Sequence, residues 1–452
     1  MRSTYFAFLA LIFWITSLQT QADDSTNGLQ EMVMRRDNAY HWEIRHRGDL
    51  AGCAYLQLHF VSQRWQGLPW KHMLVVIRPP EMKASTKHAL MLIDGGSWNA
   101  AWGEEGPGPV AMPDVANLLA MIARETGTPV AIIRQIPFQP MMGGLKEDAL
   151  IAATLKKYFE TGDANWPLLP VMVRSASAAI DATVEVAKQE WGAELDSFTV
   201  TGASKRGWTT YLLGATDSRV KAIAPMVIDM LNMKPQMQHQ IDAWGAYSRQ
   251  IDDYTKLGLQ KALGTPQGDA LNVLIDPYAH RARLTVPKLV ILGTNDPYWP
   301  VDSTRFYFDE LPEPCSLLNI PNNGHGLNDI SRMIGSVTAL HHSVIEGTQL
   351  PKLQSNVKRS DSAVTLDARS DRKPARVYGW VAKSPIRDFR GAKWNATSLQ
   401  ADTEGHWKLD LTQADDGFVA GMIEAQYDGK GTFPLSITTQ VHVAPDFRQD
   451  SK

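Results

Sequence analysis

Hydrophobic positions change their period along this chain, and the changes outline an architecture. Residues 53–80 alternate as strands do: AYLQLHFVSQRW, a turn at Gly67-Leu68-Pro69, then HMLVVIRPP. HALMLID at 88–94 is a short apolar run that ends in Asp94-Gly95-Gly96-Ser97. A helical pattern follows over 110–124, Gly127-Thr128-Pro129 interrupts it, and VAIIRQI from residue 130 reads as a buried strand. Stretches 149–159 and 171–191 repeat Ala, Val and Ile at steps of three and four, which predicts helices. Further strands are predicted at 198–201, 220–228, 287–293 and 316–320, with a helix after Ser204 and a closing helix over 327–346. Strands alternating with helices imply a mostly parallel, doubly wound α/β sheet.

Two regions break this alternation. Residues 230–285 carry no strand pattern and are rich in Met, Gln, Trp and Tyr, as expected of a helical cap inserted over a site. From about residue 351 to 452 the helical period vanishes. Short alternating runs (AVTLDAR, ARVYGWVAK, WKLDLT, MIEAQYD, SITTQVHVAP) predict a small C-terminal β-sandwich. The α/β part is then expected to span residues 23–350.

Composition narrows the function classes. The chain has 452 residues, of which 44% are hydrophobic and 21% charged, so it can build a large core and a second, smaller one. A net charge of −3 leaves no basic excess to track a phosphate backbone, and no nucleic-acid partner is expected. The start, MRSTYFAFLALIFWITSLQTQADD, has a basic residue, an apolar run over 5–18 and small residues before Asp23. That is the pattern of a signal peptide over residues 1–22, cut after Ala22, with a periplasmic or secreted product and no stable membrane insertion afterwards. The competing reading is an anchor, for which the run is short of the roughly 20 apolar residues a span needs. Only Cys53 and Cys315 could form a disulfide, and their strands are expected at opposite sides of the sheet, which favours two unpaired thiols.

Candidate chemistry centres on Gly202-Ala203-Ser204-Lys205-Arg206-Gly207, where a strand runs directly into a helix. A nucleophilic serine needs such a sharp turn with small neighbours; the competing reading is an ordinary serine helix cap. The second glycine is one position later than in the common G-x-S-x-G form, and Arg206 occupies its usual place. Chain order adds weight. Asp296 follows the strand ending LVILGTND, and His325, flanked by Gly324 and Gly326, follows the next strand. Serine, acid and histidine in this order, each after a strand, are what the α/β-hydrolase fold presents. Asp302 is the competing acid. His325 would be the general base and Asp296 its orienting partner. The oxyanion donors expected are the N–H of Lys205 and the backbone of Gly95, Gly96 and Ser97, a segment that also reads as a simple glycine turn.

Lys205 and Arg206 read either as an exposed pair or as contacts to an acidic group on the substrate. Trp98, Trp102, Trp244 and Trp299 are candidates for a pocket lining or for core. No metal-ligand spacing and no phosphate loop are present, so no cofactor is implied. A small-molecule ester or peptide is the expected partner; the oligomeric state is not legible.

The stretch FTVTGASKRGWTTYLLGATDSRVKAIAPMVIDMLNM, with LIDGGSWN, VRSASAAIDATVEVA, VPKLVILGTNDPYWPVDS and PNNGHGL, resembles the PhoPQ-activated pathogenicity-related protein family over about residues 30–350. The resemblance implies an α/β-hydrolase-like, largely exported protein, and carries over Ser204, Asp296 and His325 as the triad. It also implies expression under a bacterial two-component system, and kinship with secreted eukaryotic proliferation repressors. It supplies no substrate. Gly-x-Ser-Lys-x-Gly is also similar to glucuronoyl esterases, which by analogy favours an ester with an acidic acyl part. The alternative class is a secreted signalling or binding protein that keeps the fold without turnover.

Overall fold

The computed structural model describes residues 28–83, 85–102, 111–360, 362–413 and 417–446; the predicted signal peptide lies outside them. Runs such as HALMLI, VAII and KLVILG are buried at every position, which a strand achieves only when helices cover both faces of its sheet. Nine strands form that sheet: β1 His41–Leu50, β2 Cys53–Trp65, β3 Leu68–Arg78, β4 His88–Ile93, β5 Val130–Ile133, β6 Ser197–Ala203, β7 Val220–Met226, β8 Lys288–Gly293 and β9 Cys315–Ile320. Their order is β1-β2-β3-β5-β4-β6-β7-β8-β9. The first three and β5 pair antiparallel, and all pairs from β5 to β9 are parallel. This is the α/β-hydrolase fold, with β1 added at one edge.

Helices Glu147–Thr161, Leu168–Trp191 and Lys205–Thr216 contribute to one core. Ala116–Thr126 and Ile330–Ile345 contribute to the core that includes Val75, Leu90 and Ile132. Each fully buried Val, Leu or Ile in them contributes about 1.5–3 kcal/mol. The helix expected from residue 110 begins at Ala116, beyond Pro113. Between β7 and β8 the chain forms Met233–Trp244, Asp252–Thr255, Pro266–Ile275 and several 3₁₀ turns, which make up the expected helical cap. No described helix is long and apolar enough to cross a membrane. Cys53 on β2 and Cys315 on the far edge strand β9 are both free.

Beyond the helix Ile330–Ile345 the chain is all β. A three-stranded antiparallel sheet joins β10 Leu353–Arg359, β11 Ala363–Ser370 and β14 Trp407–Thr412. A second sheet joins β13 Asn395–Ser398, β12 Arg376–Ser384, β15 Phe418–Tyr427 and β16 Leu435–Thr438, with β17 His442–Ala444 also on β15. Alternate residues of both sheets, such as Leu366, Leu409, Leu411 and Ile423, share one core.

Candidate active site

Ser204 sits at the corner between β6 and the helix Lys205–Thr216, with φ 58° and ψ −128°. A non-glycine residue at positive φ is strained, and the surroundings hold it there: the Ser204 N–H donates to Met226 O at 2.8 Å, and the Trp208 N–H to Ser204 O at 2.9 Å. Both glycines of the motif are explained by close approach. A Cβ at Gly202 would lie 2.8 Å from Arg206 O, and one at Gly207 would lie 2.7 Å from Met226 O. The displaced second glycine therefore still lets the helix press on β7. The position it vacates, Arg206, sends its side chain sideways instead.

Asp296 and His325 come from the loops after β8 and β9. Nδ1 of His325 is 2.8 Å from Asp296 Oδ2, and Oδ1 of the same carboxylate accepts the Tyr298 N–H at 2.9 Å. An ionised carboxylate only accepts, so Nδ1 carries the proton and Nε2 is left as the basic nitrogen. Nε2 is buried with no hydrogen-bond partner. The Tyr298 ring stacks on the imidazole at 4.2 Å between centroids. Ser204 and His325 line one cavity of about 130 Å³ beneath the cap. Asp302, the competing acid, is engaged elsewhere: it holds His239 Nε2 at 2.7 Å and pairs with Arg387 and Arg305.

Lys205 and Arg206 are not exposed. Lys205 Nζ is 3.0 Å from both Glu147 and Asp148, and Arg206 makes a two-pronged contact to Glu147 at 2.8 and 2.6 Å. Burial alone would push the Glu147 carboxyl up, but the hydrogen-bonded Arg206 and neighbouring Lys205 hold it down to about 2. Both cations are already paired with carboxylates, and their burial corrects the expectation of an exposed pair. Lys205 does line the cavity.

The segment 94–98 is pinned by Gln135 N–H to Gly95 O (2.9 Å) and Trp98 N–H to Gln139 O (2.7 Å). A Cβ on Gly95 would meet the Arg206 guanidinium, and one on Gly96 that of Arg134. These glycines make room for two arginines, and residues 95–97 do not line the cavity. Of the four candidate tryptophans, Trp299 lines it, as does Trp208. Trp98 packs instead on His59 and Phe138, buried Trp102 stacks near His46, and Trp244 lies under Arg390 at 4.0 Å.

Sequence reasoning missed the groups that hold these loops. The Asn295 amide, next to the candidate acid, donates to the carbonyls of Phe389, Arg390 and Ala392 at 3.0, 3.2 and 2.7 Å. Asn322, in the histidine loop, donates to Trp394 O at 2.9 Å and accepts its N–H at 2.8 Å. Residues 387–394 of the β region thus clasp both loops. Nothing local in the sequence marks these asparagines. Among the described residues no group of three or more His, Cys, Asp or Glu is placed to hold a metal ion.

The sheet order, the strained serine and the Asp296–His325 pair define the class: an α/β-hydrolase-fold protein. The profile of the PhoPQ-activated pathogenicity-related protein family matches residues 29–390, and the chain belongs to that family. It is 27% identical to autocrine proliferation repressor protein A of Dictyostelium discoideum, over 92% of this chain and 90% of that protein. Among solved structures it is similar to acetyl xylan esterase 1 of Thermoanaerobacterium sp., at 15% identity and TM-score 0.47, covering 71% of this chain and 93% of the esterase. A puromycin-hydrolyzing peptidase of Mycobacterium tuberculosis is similar at 16% identity and TM-score 0.41, covering 65% of this chain and 40% of the peptidase.

Proposed function

We propose that this protein is an exported serine hydrolase that transfers an acyl group from an ester or peptide to Ser204 and then to water. One observation carries the reading: an imidazole held by a carboxylate at 2.8 Å keeps a bare, buried Nε2 on the cavity that the strained Ser204 also lines. In the first step Ser204 Oγ attacks the carbonyl carbon while His325 Nε2 takes its proton. The developing oxyanion is met by the Lys205 N–H, which opens a helix and has no intrahelical acceptor. His325 then protonates the leaving group, and the tetrahedral adduct collapses to the acyl-enzyme. Water, deprotonated by His325, reverses the sequence and frees Ser204. Asp296 stays ionised and stabilises the imidazolium. Export rests on the leader at residues 1–22, and a role in virulence rests on the family name alone.

A second reading is a secreted signalling protein without turnover. It is favoured by the relative named as a proliferation repressor, and by the lack of a hydrogen bond at His325 Nε2. Apo hydrolases often show such loose contacts. A tagged fluorophosphonate separates the two. The mature protein is expected to gain one label at Ser204. Ser204→Ala is expected to gain none and to lose at least about 10⁴-fold in turnover of any ester that the wild type cleaves. Absence of label on the folded wild type would put the signalling reading first.

A further inference from the structure

The cavity beside Ser204 is walled almost entirely by apolar side chains. Leu155 comes from the helix beneath, Met233 and Met237 from one cap helix, Leu271 and Ile275 from another, and Trp299 from the loop after β8. Several of its polar wall groups are already engaged, while the buried Gln260 Oε1 has no partner. The Lys205 ammonium lies between Glu147 and Asp148, and the Tyr254 hydroxyl donates to Asp148 at 2.8 Å. The Trp208 indole N–H, on the same wall, donates to Ile275 O. A charged or sugar-like substituent placed here would lose its water and find few partners, at a cost of several kcal/mol for an ion. A hydrocarbon would gain from leaving water. Three methionines (230, 233 and 237) add flexible, polarisable surface that adapts to chains of differing shape.

We infer that this cavity is the acyl pocket of the proposed hydrolase, and that its substrates are neutral esters of an apolar acyl group of about six carbons. The size follows from the volume: about 130 Å³ is close to the roughly 150 Å³ dry cavity that accepts benzene. The inference rests on the hydrolase reading of Ser204, but the pocket can be tested apart from it. The acyl carbon bonds to Ser204 Oγ, the alcohol leaves with the proton from His325, and the chain attached to that carbon fills the space under the cap.

The experiment measures kcat/KM on p-nitrophenyl acetate, butyrate, hexanoate and octanoate for the full-length mature protein and for Leu271→Trp and Met237→Trp. Met237 is only partly buried, so its variant remains informative if Leu271→Trp does not fold. Each added methylene is expected to raise the wild-type value about three- to fourfold up to hexanoate, on the order of 10²-fold in total. Either tryptophan should compress the hexanoate-to-acetate ratio about tenfold or more by filling the space. In parallel, calorimetry on Ser204→Ala compares hexanamide with acetamide, and only hexanamide should bind. Ester turnover that is flat with chain length, or is best on a glucuronate methyl ester, in wild type and variants alike, overturns the apolar pocket and leaves the hydrolase intact. Hexanamide binding with no ester turnover and no fluorophosphonate label overturns the hydrolase and keeps the pocket. Neither turnover nor binding overturns both.

Discussion

Two charge clusters flank the candidate triad, and they are built in opposite senses. Beside the serine, two cations adjacent in sequence are surrounded by acids: Lys205 and Arg206 are held by Glu147 and Asp148. Beside the acid loop, one carboxylate is surrounded by donors: Asp302 meets the His239 imidazole from the cap, and the cations Arg305 from its own segment and Arg387 from the β region. The first cluster cancels charge where the helix dipole at residue 205 opposes a cation. It leaves the cavity wall close to neutral. The second joins three separate parts of the chain at a point six residues past Asp296. Burial favours a neutral Asp302, yet Arg387 and His239 hold its carboxyl far below the usual range. The same kind of ion pair sets the character of a pocket in one place and fastens an architecture in the other.

If the second cluster is the fastener, Arg387→Met should be the most damaging change, because it leaves a buried carboxylate short of its closest guanidinium. A loss of about 3–5 kcal/mol in unfolding free energy is expected by urea titration. A loss below 1 kcal/mol would show that Arg305 and His239 suffice, and the contrast would fail.

Acid sharpens the comparison next, because neither cluster should fail first. Glu147 contributes stability that is present above the unfolded carboxylate value near pH 4.3 and is lost only as pH falls toward about 2. Burial instead pushes the His88 imidazole down to about 4 and His72 down to about 3. These histidines are neutral when folded and gain protons when unfolded, so the stability they contribute is full above about pH 6.5 and falls as pH drops below it. Each should remove on the order of 2 kcal/mol between pH 7 and 5. Stability that stays flat over that interval would contradict the assignment.

Glu147→Gln tests the pocket cluster. It leaves Arg206 without an anion and Lys205 with Asp148 alone, and should cost about 2 kcal/mol. The hexanoate-to-acetate ratio should fall with it as the wall becomes charged. The smallest effect is expected from Asn295→Ala, which loosens the acid loop from residues 389–392. About a tenfold fall in kcat is expected with KM nearly unchanged, since the substrate's own contacts remain. An equal fall in Ser204 labelling rate would place the defect at the triad, whereas a change in KM alone would place it in the pocket.

The elbow was legible because it is local. A strand, a small-residue turn and a helix within a dozen residues announce Ser204, and strand ends announce Asp296 and His325. The helical cap was legible through its missing strand pattern. Long-range charge pairing was not. Glu147 and Asp148 open a helix far from Lys205 in the chain, and only the fold brings them together, so the two cations looked like surface or substrate contacts. Strand β1, HWEIRHRGDL, is absent from the sequence reading although its charges alternate at 43, 45, 47 and 49: on this half-exposed edge only Trp42, Ile44 and Leu50 give an apolar signal. Strand β13 is exposed at all four positions and has no apolar signal. Trp98 and Trp244 were ambiguous for a physical reason: an indole suits a core, a pocket or a cation equally well, and composition does not say which.

The clasp formed by residues 387–394 has a temporal meaning. A growing chain delivers the serine, the acid and the imidazole well before the carbonyls that receive Asn295 and the arginine that meets Asp302. Until residues 387–394 have been added, both loops lack these contacts. A chain cut short before residue 387 therefore carries every candidate reactive group but not their seal.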